Sequence, residues 1–433
     1  MSVATTYELI DVQALRVGMV VHLDGGWMAH PFPLSRFKIA SPEQIATIRS
    51  LGLKTVRWDP KASDVAEADD GGVNPAPAPR AEKPAPVPAP AAAPEPSPLE
   101  QARTAHRKAL AQQREALQLC ERQFSEAASA CNDLTRLVVP RPLEAGSQAK
   151  ALSQALLDKM VGAQDMCIQL LSGSAGNKAS AHALNVTILS QLLGRKLGLD
   201  DQQMLDLGVG AMLHDIGKIE LPERVRQREE HFVAAELKLY EDHVAHGVVH
   251  ARKMGLAQGA LLVVAQHHEH VDNSGFPLQL GSDKITLPAR IVALVNRYDN
   301  LCNPHLAARG LTPHEALALL FAGSAQKFDA AVLGHFIKMM GVYPVGSVVQ
   351  LSDERFALVV NVNSSRPLKP RVLVHNPEVP RDEALVLDLQ TQPGLSIRRS
   401  LKPLQLPPAT LDYLAPAKRV VYFFEPAREV EEA

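Results

Sequence analysis

Apolar residues recur along this chain with three different spacings, and each spacing marks a different kind of body. The segment GMVVHLD (18–24) alternates apolar and polar positions as a strand does, and KTVRWD (54–59) reads as a returning strand. Between them, Ser41-Pro42-Glu43-Gln44 reads as an N-cap, a proline at the first helical position and a capping-box partner. Ile45, Ile48 and Leu51 then supply an apolar helix face, and Gly52 a stop. The intervening patch WMAHPFPLSRF, including Trp27, suits a loop packed on the sheet or a partner surface. A heptad spacing follows further on: Leu110, Leu117, Phe124, Cys131 and Val138 at one position, Cys120, Ala127 and Leu134 at the other, with Gln113 interrupting. That seam serves equally a homodimer through 99–138 or a helix packed onto the downstream body. From 147 to 340 the spacing is helical, as at Leu184, Ile188, Leu192, Leu193 and Leu197. After Gly341 the runs GSVVQL, RFALVVNV, RVLVHN, ALVLDL and RVVYFF are short, β-type and separated by turn residues.

The expected organisation is multidomain and mainly α. A small α/β module occupies 1–62, and an Ala/Pro/Glu tract, a semi-rigid linker, 63–98. A helical lead-in covers 99–146, a helical domain 147–340, and a small β domain with a charged tail 341–433. The N-terminal module and the β domain are the parts suited to protein contacts.

Composition narrows the classes. With 433 residues and 46% hydrophobic content, roughly two to four domains with packed cores fit the chain. A net charge of −2 gives no electrostatic footprint for duplex nucleic acid, and 4% aromatics offer few base-stacking platforms. No apolar run reaches the roughly 20 residues of a membrane span, and MSVATTYELIDV lacks the layout of a signal peptide. The widely spaced Cys120, Cys131, Cys167 and Cys302 read as reduced thiols, which points to the cytoplasm.

The chemistry concentrates between 182 and 270, where histidines cluster. His214-Asp215 stands inside HDIGK; His243 follows, then the pair His267-His268. Imidazoles and a carboxylate at such intervals can converge from successive helices onto one bundle core. His182, His214 and Asp215 can hold one metal ion, and His243, His267 and His268 another, with Asp215 suited to bridge. Phosphodiester hydrolysis needs an activated water and positive charge on the phosphate oxygens, which a metal pair about 3.5–4 Å apart supplies. Lys218, one turn after His214, would aim a cation at the phosphate. Imidazole with carboxylate suits iron or manganese, and also zinc or nickel. His246, His250, His270 and His305 read as surface or supporting residues.

HDIGK together with HHEHVDNSGFPLQL (267–280) resembles the HD-GYP domain, a branch of the HD phosphohydrolases. The resemblance covers about 180–340. GMVVHLD, GWMAHPFP and RFKIAS also resemble a domain of unknown function that often precedes HD-GYP in bacteria. The family implies an HD-type helical bundle, a two- or three-metal site, and hydrolysis of cyclic di-GMP to linear pGpG or GMP in second-messenger signalling. It places His182, His214, Asp215, His243, His267 and His268 as ligands and Lys218 against the phosphate.

Several positions depart from the family pattern. The closing metal aspartate falls on Asn296, while the second aspartate of that motif is kept as Asp299; both stand as candidate metal ligands. Lys178 replaces a glutamate found in three-metal members, so two metals at most are expected. The GYP tyrosine is Phe276, a substrate-binding candidate without the hydroxyl, and the preceding glycine is Asn273. Phosphate-binding basic positions fall on His305 and Ala308, with Arg309 adjacent as the substitute. The sequence therefore supports an active phosphodiesterase, or a catalytically weak module that binds metal or nucleotide and acts as a regulator or scaffold.

Overall fold

The computed structural model describes residues 8–23, 36–39, 41–50, 53–60, 63, 97–161, 165–171, 177–227 and 232–427. Trp27 with most of its patch, Gly52, nearly all of the 63–98 tract and the tail after 427 lie outside them. The chain divides into two compact units, Met1–Arg107 and Lys108–Ala433.

In the first unit, β1 (Glu8–Asp11), β2 (Val20–His22), β3 (Arg36–Lys38) and β4 (Thr55–Asp59) form an antiparallel sheet in the order β1-β4-β2-β3, with α1 (Pro42–Ser50) against it. Val21, Ile39, Ile48 and Val56 make its core, so the alternation in the strands and the apolar face of α1 meet as their spacing requires. The expected strands are β2 and β4; β1 and β3 are additions, and β3 takes Arg36 and Phe37 from the end of the patch read as a loop.

The second unit holds a helical bundle and a sheet. The helices are α2 (Pro98–Leu137, whose first residues belong to the first unit), α3 (Pro142–Asp158), α4 (Lys178–Lys196), α5 (Asp201–Leu213), α6 (Ala234–Glu241), α7 (His243–Lys253), α8 (Gln258–Gln266), α9 (Leu287–Cys302), α10 (Pro313–Gly323) and α11 (Ala330–Met340). Strand β5 (Met166–Leu170) precedes α4; β6 (Val348–Leu351), β7 (Phe356–Asn363), β8 (Arg371–Val374), β9 (Val386–Asp388), β10 (Ile397–Leu401), α12 (Pro408–Leu414) and β11 (Tyr422–Pro426) follow α11. The sheet runs β10-β6-β7-β5-β11, with β8 on β7 and β9 on β8, all antiparallel.

Two expectations change here. The C-terminal strands do not close into a separate domain: β5, from inside the stretch read as helical, runs between β7 and β11. Met166, Cys167, Ile168 and Leu170 are all buried, and a short apolar run buried on both faces carries no period that separates strand from helix. The heptad seam of α2 is covered by its own unit. Cys120, Phe124, Ala127, Cys131, Leu134 and Val138 are buried, with Phe124 edge-on to Phe423 of β11. Gln113, the interruption in the seam, gives and takes a hydrogen bond with the main chain of Val386 in β9 (3.2 and 3.0 Å). The seam is thus spent on intrachain packing over 120–138.

Candidate metal centre

Four helices deliver the histidines. His182 lies in α4; His214 caps the C-terminus of α5 and Asp215 follows it; His243 opens α7 directly after α6; His267 caps α8 and His268 follows. A helix end leaves carbonyls without intrahelical partners. Three rings use them: Nδ1 of His214 meets Ala211 O at 2.7 Å, that of His243 meets Tyr240 O at 2.5 Å, and that of His267 meets Val264 O at 2.8 Å. A carbonyl only accepts, so the proton sits on Nδ1 and each Nε2 keeps a bare lone pair.

Those lone pairs converge. His182 Nε2 lies 3.2 Å from His214 Nε2, and His243 Nε2 lies 3.4 Å from His267 Nε2. Asp215 stands between the pairs. Its Oδ2 is 3.4 Å from His214 Nε2 and 3.7 Å from His182 Nε2; its Oδ1 is 3.4 Å from His243 Nε2 and 3.7 Å from His267 Nε2. Two donor groups result, His182-His214-Asp215 and Asp215-His243-His267-His268, each spanning at most 4.8 Å. Asp215 Oδ1 and His268 Nε2 are buried without a hydrogen-bond partner. Bare nitrogens facing each other, an orphaned carboxylate oxygen and an orphaned imidazole nitrogen are what divalent cations would satisfy, one per group.

The electrostatics agree. Burial lowers His214, holds His243 near 3 and drives His268 well below its usual value, so all three stay neutral and able to ligate. Burial would raise Asp215, but Lys218 and His214 outweigh it and keep the carboxylate ionised well below its usual range. Lys218 Nζ lies 2.6 Å from Asp215 Oδ2 and 5.2 Å from the centre of the Tyr240 ring. Burial works against its charge, yet Asp215 and Tyr240 raise its pKa.

The turn that carries Lys218 needs its glycine. A Cβ on Gly217 would stand 1.9 Å from His243 O, so only glycine lets this turn seat on α7. The loop after His268 is equally tight. Phe276 stacks on His268 (centroids 4.4 Å apart) and packs with Tyr240, Leu221 and Val225. Asn273 takes the left-handed conformation at φ 63°, which asparagine tolerates best after glycine. Glu269 accepts from the main-chain N–H groups of Leu278 (2.7 Å) and Leu280 (2.8 Å), pinning the loop.

Above His267 and His268 lies a cavity of about 820 Å³ lined by Lys218, Arg297, Arg309 and Lys327 and by the rings of Phe232, Tyr240, Phe276 and Phe328. Arg309 sits exposed at its rim. His270 and His305 also line it; burial, then Lys327 and Arg297, lower His270. A smaller cavity, about 270 Å³, opens on the His182 side, where Lys178 reaches His305 O at 3.5 Å. His250 is buried and bonded to Glu220 (2.8 Å).

Asn296 and Asp299 behave differently from a metal ligand pair. Asn296 is buried on α9 and its Oδ1 accepts from Asn300 Nδ2 at 2.6 Å. Asp299 is fully buried, and its Oδ2 lies 2.6 Å from His182 Nδ1, the nitrogen turned away from the donor group. It stands behind His182 rather than beside it, which corrects its reading as a ligand. Sequence reasoning missed Tyr240, Glu269, Arg297, Lys327 and two asparagines, Asn185 and Asn303, that bond Asp299. Asn185 is three residues after His182 and Asn303 four after Asp299, so helical spacing alone could have flagged both.

Residues 165–332 match the family model of the HD domain. Residues 8–138 match a domain of unknown function, DUF3391. The chain is 28% identical over 84% of its length, and 84% of the relative's, to a Pseudomonas aeruginosa protein named as a cyclic di-GMP phosphodiesterase. It is 25% identical to the cyclic di-GMP phosphodiesterase PdeB of Borreliella burgdorferi, over 44% of this chain and half of that one. Among solved structures, an HDG"Y"P protein of Bdellovibrio bacteriovorus aligns with a TM-score of 0.40 and 17% identity, over 76% of this chain and 98% of that one. Among the described residues no helix is long and apolar enough to cross a membrane.

Proposed function

We propose that this chain is an HD-type, metal-dependent phosphodiesterase that hydrolyses cyclic di-GMP to linear pGpG or GMP. The observation that carries the reading is the pair of donor groups sharing Asp215 beneath a cavity with a cationic and aromatic lining. The relatives named as cyclic di-GMP phosphodiesterases supply the substrate. Mixed imidazole and carboxylate donors favour iron or manganese, two ions per chain.

Bound metal would supply charge to offset that on the phosphate and lower the pKa of water. The chain's own residues do the rest. His182, His214, Asp215, His243, His267 and His268 hold the metals. Lys218 places an ammonium beside the phosphate. Arg309, with Arg297 and Lys327, offers charge to the second phosphate, and Phe276 and Tyr240 offer ring faces to a base. The 63–98 tract tethers the N-terminal module, which we read as the input part.

The test is anaerobic turnover of cyclic di-GMP by protein loaded with iron or with manganese, with metal counted in the same samples. Linear dinucleotide formed in proportion to metal, and reduced at least 100-fold by His214→Ala, is the expected result (removal of a group acting at the reaction centre costs about that much). Two bound metals with no product would refute the activity.

A further inference from the structure

His182 differs from the other ring donors in what sets its proton. His214, His243 and His267 each bond a helix-terminal carbonyl, which can only accept. His182 lies inside α4, and its Nδ1 faces Asp299 instead. Asp299 is held in turn by two side-chain amides. Asn185 Nδ2 donates to Asp299 Oδ1 (2.8 Å) and to Val420 O (3.0 Å); Asn303 Nδ2 donates to the same two oxygens (2.9 and 2.8 Å). The orientation of both amides is fixed from the far side. Val420 N–H donates to Asn303 Oδ1 (2.8 Å), and Tyr422 N–H to Asn185 Oδ1 (3.1 Å). Neither amide can turn over without setting N–H against N–H at the strand.

We infer that Asp299 is the positioning residue of His182, and that the main chain at 420–422, acting through Asn185 and Asn303, dictates which nitrogen of His182 is bare. The inference rests on the metal reading of the His182-His214-Asp215 group. Asp299 Oδ1 is occupied by two amide donors, so Oδ2 takes the Nδ1–H of His182 and Nε2 is left to the metal. An asparagine at 299 has one accepting end. Whichever way it turns, an NH₂ faces either His182 Nδ1 or the two amides. The relief is for Nδ1 to accept, which moves the proton to Nε2, the nitrogen the metal needs.

The experiment counts manganese bound by the metal-free full chain, from the free-ion magnetic resonance signal, in wild type, Asp299→Asn, Asn303→Ala and His182→Ala. Two ions are expected in wild type. One of them should weaken 10–100-fold in Asp299→Asn, the usual loss for an outer residue, with a smaller loss in Asn303→Ala. That ion should be the one lost in His182→Ala, and adding Asp299→Asn to His182→Ala should cost nothing more. Both ions at wild-type affinity in Asp299→Asn would overturn the inference. A second measurement needs no stable Asp299 variant: nitrogen shifts of ¹⁵N-histidine in the metal-free wild type should show His182 protonated on Nδ1. Protonation on Nε2 would overturn the inference too. Neither readout uses turnover, so a failed hydrolase reading leaves the result interpretable, and a wild type that binds no ion in the His182 group overturns the metal reading beneath it.

Discussion

At the scale of single residues, the donor set was legible because its members are chemically rare on apolar helices: His214-Asp215, His243 and His267-His268 have few other reasons to stand there. Their tautomers were not legible, since those depend on helix ends that only the structure places. Asp299 shows the same limit. Its charge suggested a ligand, while its burial behind His182 makes it an anchor for the ring. Asn296 is the residue whose identity most constrains the site. It shares the inward face of α9 with Ala293 and Asn300, both on the cavity wall, and its amide oxygen is already engaged by Asn300. Asn296→Asp adds a carboxylate on that face and is expected to tighten metal retention about tenfold, roughly 1.4 kcal/mol. Competition against a chelator of known affinity checks this; unchanged retention would mean that position 296 does not reach the ions.

At the scale of elements, a strand with one largely buried face and a helix with one apolar stripe were readable, as β4 and α1 show. Strand β5 was not: its short run is buried on both faces and lies inside a stretch of helical spacing, so it was taken into the helices. The seam of α2 was visible but its partner was not, because heptad spacing says that a face is covered without saying by what. The partner is the sheet of the same unit, through Phe124 against Phe423. Phe124 is fully buried, so Phe124→Ala should cost about 3–5 kcal/mol in urea unfolding of the full chain. A cost below about 1 kcal/mol would show that α2 contributes little to the core.

At the scale of the whole molecule, metal and proton compete for the same centre. In metal-free protein the folded state keeps His214, His243 and His268 neutral, His243 down to about 3, whereas the unfolded chain protonates them near 6.5. The unfolded state therefore binds more protons between about 6.5 and 3, and stability is lost as pH falls through that window. For His243 the loss is at most about 1.4 kcal/mol per pH unit across that window. Chelator-treated protein should melt markedly lower at pH 5.5 than at pH 7.5. Equal melting points would mean that the rings are already charged or solvated in the fold. The pairing of β5 with β11 has a consequence for biosynthesis. Translation delivers β5 and all the ligand helices long before Tyr422 and Phe423, yet β5 has no neighbour on that edge, and Asn185 and Asn303 have no main chain to bond, until those residues leave the ribosome. Order of synthesis and order of assembly are thus reversed: the first ligand helix to be made is the last to be set, and a chain cut short before 420 would carry the histidines without the lock that orients His182.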